Sequence, residues 1–171
     1  MDKLRVYGWL ERSRARVLDG VRTLDETCWT RPFDIGAGSL EAVLKHCLIA
    51  EWYYDHRMRE APVPLYETWE VRDDTPLTFA ELEAKWAAQS ESTKRTIASV
   101  PDWDKAIDYQ VRDDDGRDLI VSCTPDGLFT QLITHEPYHR AQVVNMLRHM
   151  GVTCGDLDFN AMEFPRRVVA G

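Results

Sequence analysis

The sequence predicts an all-α fold: a four-helix bundle with a crossover connection between helices two and three, plus a small β-hairpin before helix four. Three observations predict it. Four long segments repeat apolar residues at three- and four-residue steps, the period of a helix that buries one face. The segment Glu60 to Thr75 is too long for a tight antiparallel turn and suits a crossover between non-adjacent bundle helices. A short alternating stretch around an Asp-Gly pair supplies the β signal. At 171 residues the chain fits one domain, residues 1–171, able to bury roughly 70% of the surface its unfolded form exposes.

From Asp2 to Leu24 the residues Leu4, Tyr7, Leu10, Val17, Leu18, Val21 and Leu24 form the stripe of helix one. Asp25 to Gly38 contains Pro32, Gly36 and Gly38 without a period, so it is a connector. Ser39 is an N-cap, and Leu40, Val43, Leu44, Cys47, Ala50, Tyr54 and Met58 carry helix two to about Arg59. Thr78-Phe79-Ala80-Glu81 is a capping box that opens helix three, whose inner face is Phe79, Leu82, Trp86, Thr93 and Ile97 and which Pro101 ends.

Ile107, Tyr109 and Val111 alternate, Asp113-Asp114-Asp115-Gly116 turns the chain, and Leu119-Ile120-Val121 returns it as a hairpin. A calcium loop is the alternative for the acidic turn, but Val111 stands at its first ligand position and the distal Glu is absent. Thr124-Pro125-Asp126 starts helix four, with Pro at the position where its missing N–H costs nothing. The stripe Leu128, Leu132, His135, His139, Val143, Met146 and Met150 puts two histidines toward the core, and Gly151 caps the end. The tail from Val152 to Gly171 lacks a period and reads as an extended strap.

Composition narrows the function. The net charge is −8 with pI near 5.1, and no basic stripe offsets it, which disfavours nucleic acid and anionic membranes as partners. Cys28, Cys47, Cys123 and Cys154 form no C-x-x-C pair or zinc-knuckle spacing. The first residues contain no apolar signal segment and no apolar run reaches membrane-span length, so a cytoplasmic protein is expected.

His135-Glu136-Pro137-Tyr138-His139 carries the chemistry. Side chains four apart on a helix are surface neighbours, roughly 5 to 6 Å between Cβ atoms, so both imidazoles can reach one ion. Two buried imidazoles must otherwise each find a partner, since an unpaired buried polar group costs roughly 1 to 3 kcal/mol. A third ligand from another helix would complete the three-ligand, open-position arrangement of catalytic zinc. His46, at the margin of the helix-two stripe, is that candidate; His56 and His149 are poorly placed to share the ion.

The same five residues spell H-E-x-x-H, the zinc metallopeptidase pattern with Glu136 as general base. Against it stand Pro137 inside the motif, and Gln142 and Asn145 where the extended pattern has Gly and His. Glu51 lies on the apolar side of helix two, a partner for an imidazole or an arginine, or else a salt bridge reaching the surface. Glu136 and Glu51 are thus the candidate catalytic carboxylates, with a solvated role the alternative for Glu136. Gln142 is placed to hydrogen-bond in the pocket or to pack elsewhere, Cys47 reads as a buried thiol, and Trp52 and Tyr53 either line a pocket or fill the core.

With His46 followed by Ala50-Glu51-Trp52, and Thr134-His135-Glu136-Pro137-Tyr138-His139-Arg140-Ala141-Gln142 on helix four, nearly the whole chain resembles the DinB/YfiT-like metalloenzyme superfamily. Its helix-four pattern ends in His-Arg-Gly-Gln; here Ala141 replaces the Gly, and Pro137 falls between the ligands, where a kink is expected. The resemblance implies a four-helix bundle with a crossover, metal ligands His46, His135 and His139, a divalent ion such as zinc or nickel, and a homodimer. It also implies metal-dependent chemistry on a small molecule, with a low-molecular-weight thiol transferred or its adduct isomerised. A non-enzymatic metal-binding or stress-response role is the alternative.

Overall fold

The second, third and fourth long helices begin at their expected capping residues, and the first is capped by Asp2, a cap the sequence reading did not name. The computed structural model describes residues 2–112 and 115–168. Helix α1, Lys3–Arg22, is capped by Asp2, which accepts from the Arg5 N–H at 3.1 Å. Ser39 accepts from Ala42 to start α2, Leu40–Met58. Thr78 and Glu81 exchange both bonds of the capping box at α3, Phe79–Ser99. Thr124 and Pro125 open α4, Pro125–His149, and Gly151, at φ +79°, closes it by taking the left-handed conformation that only glycine adopts without cost.

The strands β1, Ile107–Arg112, and β2, Asp118–Cys123, pair antiparallel with Ile107 opposite Cys123 and Arg112 opposite Asp118. Asp113 and Asp114 of the expected Asp-Gly turn lie outside the described residues. The tail departs from an extended strap: Asp158 caps a short helix α5, Phe159–Glu163, which lays Phe159 edge-on against Trp9 at 5.4 Å.

Side-chain partners fix the helix directions. His46 meets His139 while Tyr54 meets Gln131, so α2 and α4 are antiparallel. Glu51 bonds Trp86 and Thr93 while Asp55 bonds Gln89, Ser92 and Thr96, so α2 and α3 are parallel. Lys3 pairs with Asp126 and Arg14 with Glu136, so α1 and α4 are parallel. The crossover therefore joins parallel neighbours rather than non-adjacent helices. Its length follows from that: after α2 the chain must retrace about 28 Å, nineteen residues at 1.5 Å each, before α3 can begin.

The core is split in two. One apolar cluster contains Val17, Val21, Leu44, Cys47, Trp86 and Leu147; the other contains Val6, Leu10, Met58, Ile97 and Leu132. Between them lies a polar layer to which all four long helices contribute, built on Arg14, Glu51, Ser90 and Glu136. Among the described residues, no helix is long and apolar enough to cross a membrane.

Candidate metal centre

The antiparallel pairing of α2 and α4 brings His46 against both histidines of α4. The ligand nitrogens of His46, His135 and His139 all lie within 4.8 Å of one another, and the three side chains are half-buried. His46 Nε2 and His135 Nε2 are 3.2 Å apart. A cation held about 2.05 Å from each of two tetrahedrally disposed nitrogens would keep them about 3.3 Å apart, so the spacing fits a shared ion. No Cys, Asp or Glu joins the group among the described residues.

The protonation states suit ligands. Burial, and then the proximity of His139 and His46, lowers the pKa of His135 to about 4. Burial and His139 also lower His46, against a small opposing pull from Asp73 of the crossover. Both rings are therefore neutral at pH 7, with a lone pair available. His139 Nδ1 lies 3.2 Å from Gln142 Oε1, one turn along α4. With the amide in this orientation the proton sits on Nδ1, and Nε2 is left free to coordinate. Gly36 of the connector packs directly on this amide: an added Cβ would stand 2.1 Å from Gln142 Oε1.

The buried line of α4 is not the expected one. His135 and His139 sit at the margin of the α2–α4 contact, and the core positions between Leu132 and Val143 belong to Glu136 and Arg140, 3% and 5% exposed. The α4 stripe is rotated because a salt-bridged carboxylate and guanidinium occupy a line that hydrophobicity assigns to apolar residues. Glu136 is accordingly neither solvated nor beside the histidines: Arg14 donates to it from Nε at 3.2 Å and Nη2 at 2.6 Å. Glu51 accepts from Arg14 at 2.6 Å, Trp86 at 2.7 Å, Thr93 at 2.8 Å and the Tyr7 hydroxyl. Of the partners considered for Glu51, the arginine is the one found.

Burial alone would lower Arg14, but Glu136 and Glu51 hold it firmly cationic. Burial pushes Glu136 up against the pull of that arginine, and Arg140, which bonds Ser13 at 2.5 Å, completes a layer of two guanidiniums and two carboxylates with no net charge. Sequence reasoning missed Arg14 and Arg140. The available signal was a gap in the helix-one stripe: Leu10 and Val17 are seven apart, and Arg14 fills the position between them.

The kink expected at Pro137 leaves α4 continuous, and His135 still converges with the other two imidazoles. His56 bonds the Trp52 carbonyl and His149 is exposed beside Phe33, both outside the cluster. Cys47 is buried and its thiol is pushed well up by that burial. Trp52 lines a cavity of about 550 Å³ between α2, α3 and the crossover, which none of the three histidines borders.

A model of the DinB family matches residues 1–167. The chain belongs to the DinB family. A solved structure of a DinB-like protein from Bacillus subtilis, YjoA, superposes with a TM-score of 0.58 at 17% identity, covering 86% of this DinB chain and 92% of that one. At that identity the likeness extends to the fold, a helical bundle. No match is found among curated proteins.

Proposed function

We propose that this DinB-family protein binds one divalent cation through His46, His135 and His139 and is a metal-dependent enzyme acting on a small molecule, with transfer of a low-molecular-weight thiol as the reaction class. One observation carries the reading: three half-buried imidazoles from two helices converge within 4.8 Å, without a fourth protein ligand among the described residues. Three ligands leave a position for water or substrate, the arrangement of catalytic rather than structural zinc.

The bound cation would lower the pKa of a thiol or water and make a nucleophile available at neutral pH. His46 and His135 stay unprotonated through burial, and Gln142 orients His139. Imidazole donors suit zinc or nickel. Glu51 and Glu136 have no part in proton transfer in this reading; by binding Arg14 from α2 and α4 they hold the two ligand-bearing helices in register. The same geometry weighs against a metallopeptidase, whose general base would have to face the ion.

Metal analysis of tag-free protein beside a His135→Ala/His139→Ala variant tests the site. The wild type should carry about one divalent ion per chain and the variant almost none; equal content in both would sink the proposal. Turnover of low-molecular-weight thiols with electrophilic acceptors, abolished by chelation and restored by metal, tests the enzymatic part. We further propose a homodimer, which light scattering would resolve by mass.

A further inference from the structure

Gln89 of α3 keeps one hydrogen-bonding position that the fold leaves open. The residue is 8% exposed, and its two amide hydrogens go to Asp55 Oδ2 at 3.1 Å and Thr93 Oγ1 at 3.2 Å. Both partners must accept: Asp55 already takes bonds from Ser92 and Thr96, and the Thr93 hydroxyl gives its own proton to Glu51 at 2.8 Å. The amide orientation is thereby fixed. Its carbonyl oxygen, Oε1, receives no donor from any described residue. An acceptor without a donor, on a residue this buried, calls for an explanation.

The cavity of about 550 Å³ between α2, α3 and the crossover, which Gln89 borders, supplies one. Its volume lies in the roughly 300 to 1,000 Å³ range of small-molecule pockets. Ala84 and Ala88, four apart on α3 and so on one face, leave the space open, while Trp52 and Trp69 line it from α2 and the crossover. Trp52 is held against His56 at 4.0 Å and Trp69 at 4.7 Å, and the Trp69 indole N–H donates to the Pro64 carbonyl at 2.9 Å. The aromatic wall is therefore in place before a ligand arrives. Glu70 and Lys85 are the charged residues of the lining, and they pair with each other. No charge is left over to hold an ion.

We infer that this cavity is a second binding site, which takes a small uncharged aromatic molecule whose N–H or O–H donates to Gln89 Oε1. Two indoles offer such a ring a large apolar contact in edge-on or offset-stacked geometry. An ion would lose its hydration here without gaining a counter-charge. The site goes beyond the metal-centre reading and does not depend on it, since none of the three histidines borders the cavity.

Indole and 1-methylindole are the probes, because they share a ring system and differ in the N–H donor. Calorimetric titration of the wild type should show indole binding about tenfold more tightly, as expected for one added hydrogen bond to a waiting acceptor. Gln89→Met should bind both probes alike. Ala88→Trp, a substitution at an exposed position, should fill the cavity and abolish binding of both without lowering the melting temperature. The His135→Ala/His139→Ala variant should bind indole as the wild type does. The inference is overturned by the absence of binding, by a preference for indole that survives in Gln89→Met, by unimpaired binding in Ala88→Trp, or by loss of binding in the double histidine variant. Light scattering adds a further check: if neither probe binds and Ala88→Trp halves the mass of the wild type, a second copy of the chain covers the cavity and the inference fails. Should Gln89→Met not fold, the two-probe comparison together with Ala88→Trp still decides.

Discussion

The Arg14 guanidinium grips the Glu136 carboxylate with two donors, Nε at 3.2 Å and Nη2 at 2.6 Å, on the axis of the bundle. Nη2 also lies 2.6 Å from Glu51, so one side chain of α1 ties α2 to α4.

Removing that cation leaves two buried carboxylates without their counter-charge. Arg14→Met should therefore destabilise the protein by about 3 to 5 kcal/mol, the range for breaking a buried ion pair from one side. Urea unfolding measures it, and a loss below about 1 kcal/mol would show that the layer contributes little.

Gln142 sets the ring orientation of His139, so Gln142→Ala should weaken metal binding about 10- to 100-fold. Gly36→Ala should act in the same direction from a different element, because its methyl group would displace the Gln142 amide and strain a backbone at φ +53°. Competition with a chromogenic chelator reads both; wild-type affinity in both variants would remove Gln142 from the site.

The depressed pKa of His135, about 4 against 6.5 in the unfolded chain, links stability to pH. Between these values the unfolded state takes up a proton that the folded state refuses. Stability of the metal-free protein from this group is fully present above pH 6.5 and is lost as pH falls toward 4. Thermal midpoints recorded across that window should fall less steeply for His135→Asn than for the wild type; parallel curves would contradict the assignment.

Pro137 cannot donate to the carbonyl one turn earlier, yet α4 runs through it unbroken. Pro137→Ala should restore that bond and stabilise the protein by roughly 1 to 3 kcal/mol. If metal affinity falls at the same time, the proline also aims His135; calorimetry and chelator competition on one preparation separate the two effects.

Local rules sufficed for the helices and their starts, because Asp2, Ser39, Thr78 and Thr124 cap through bonds to residues three positions on. The i, i+4 spacing of His135 and His139 and the marginal position of His46 were equally legible, since each depends only on helical periodicity. What lay beyond the sequence was set by contacts between distant segments. The parallel packing of α2 and α3 rests on the bonds Glu51 and Asp55 make to α3, and the rotation of α4 that turns Glu136 inward on where Arg14 arrives from α1, 122 residues before its partner. Hydrophobic pattern assigned that core line to the histidines, because it scores residues singly and cannot see a charge that is neutralised by another chain segment. The stacking of Arg57 between Tyr53 and Tyr109 likewise exists only once the hairpin docks on α2. Composition and period thus determined the bundle and the histidine spacing, while the tertiary structure decided which charges are buried and which partners neutralise them.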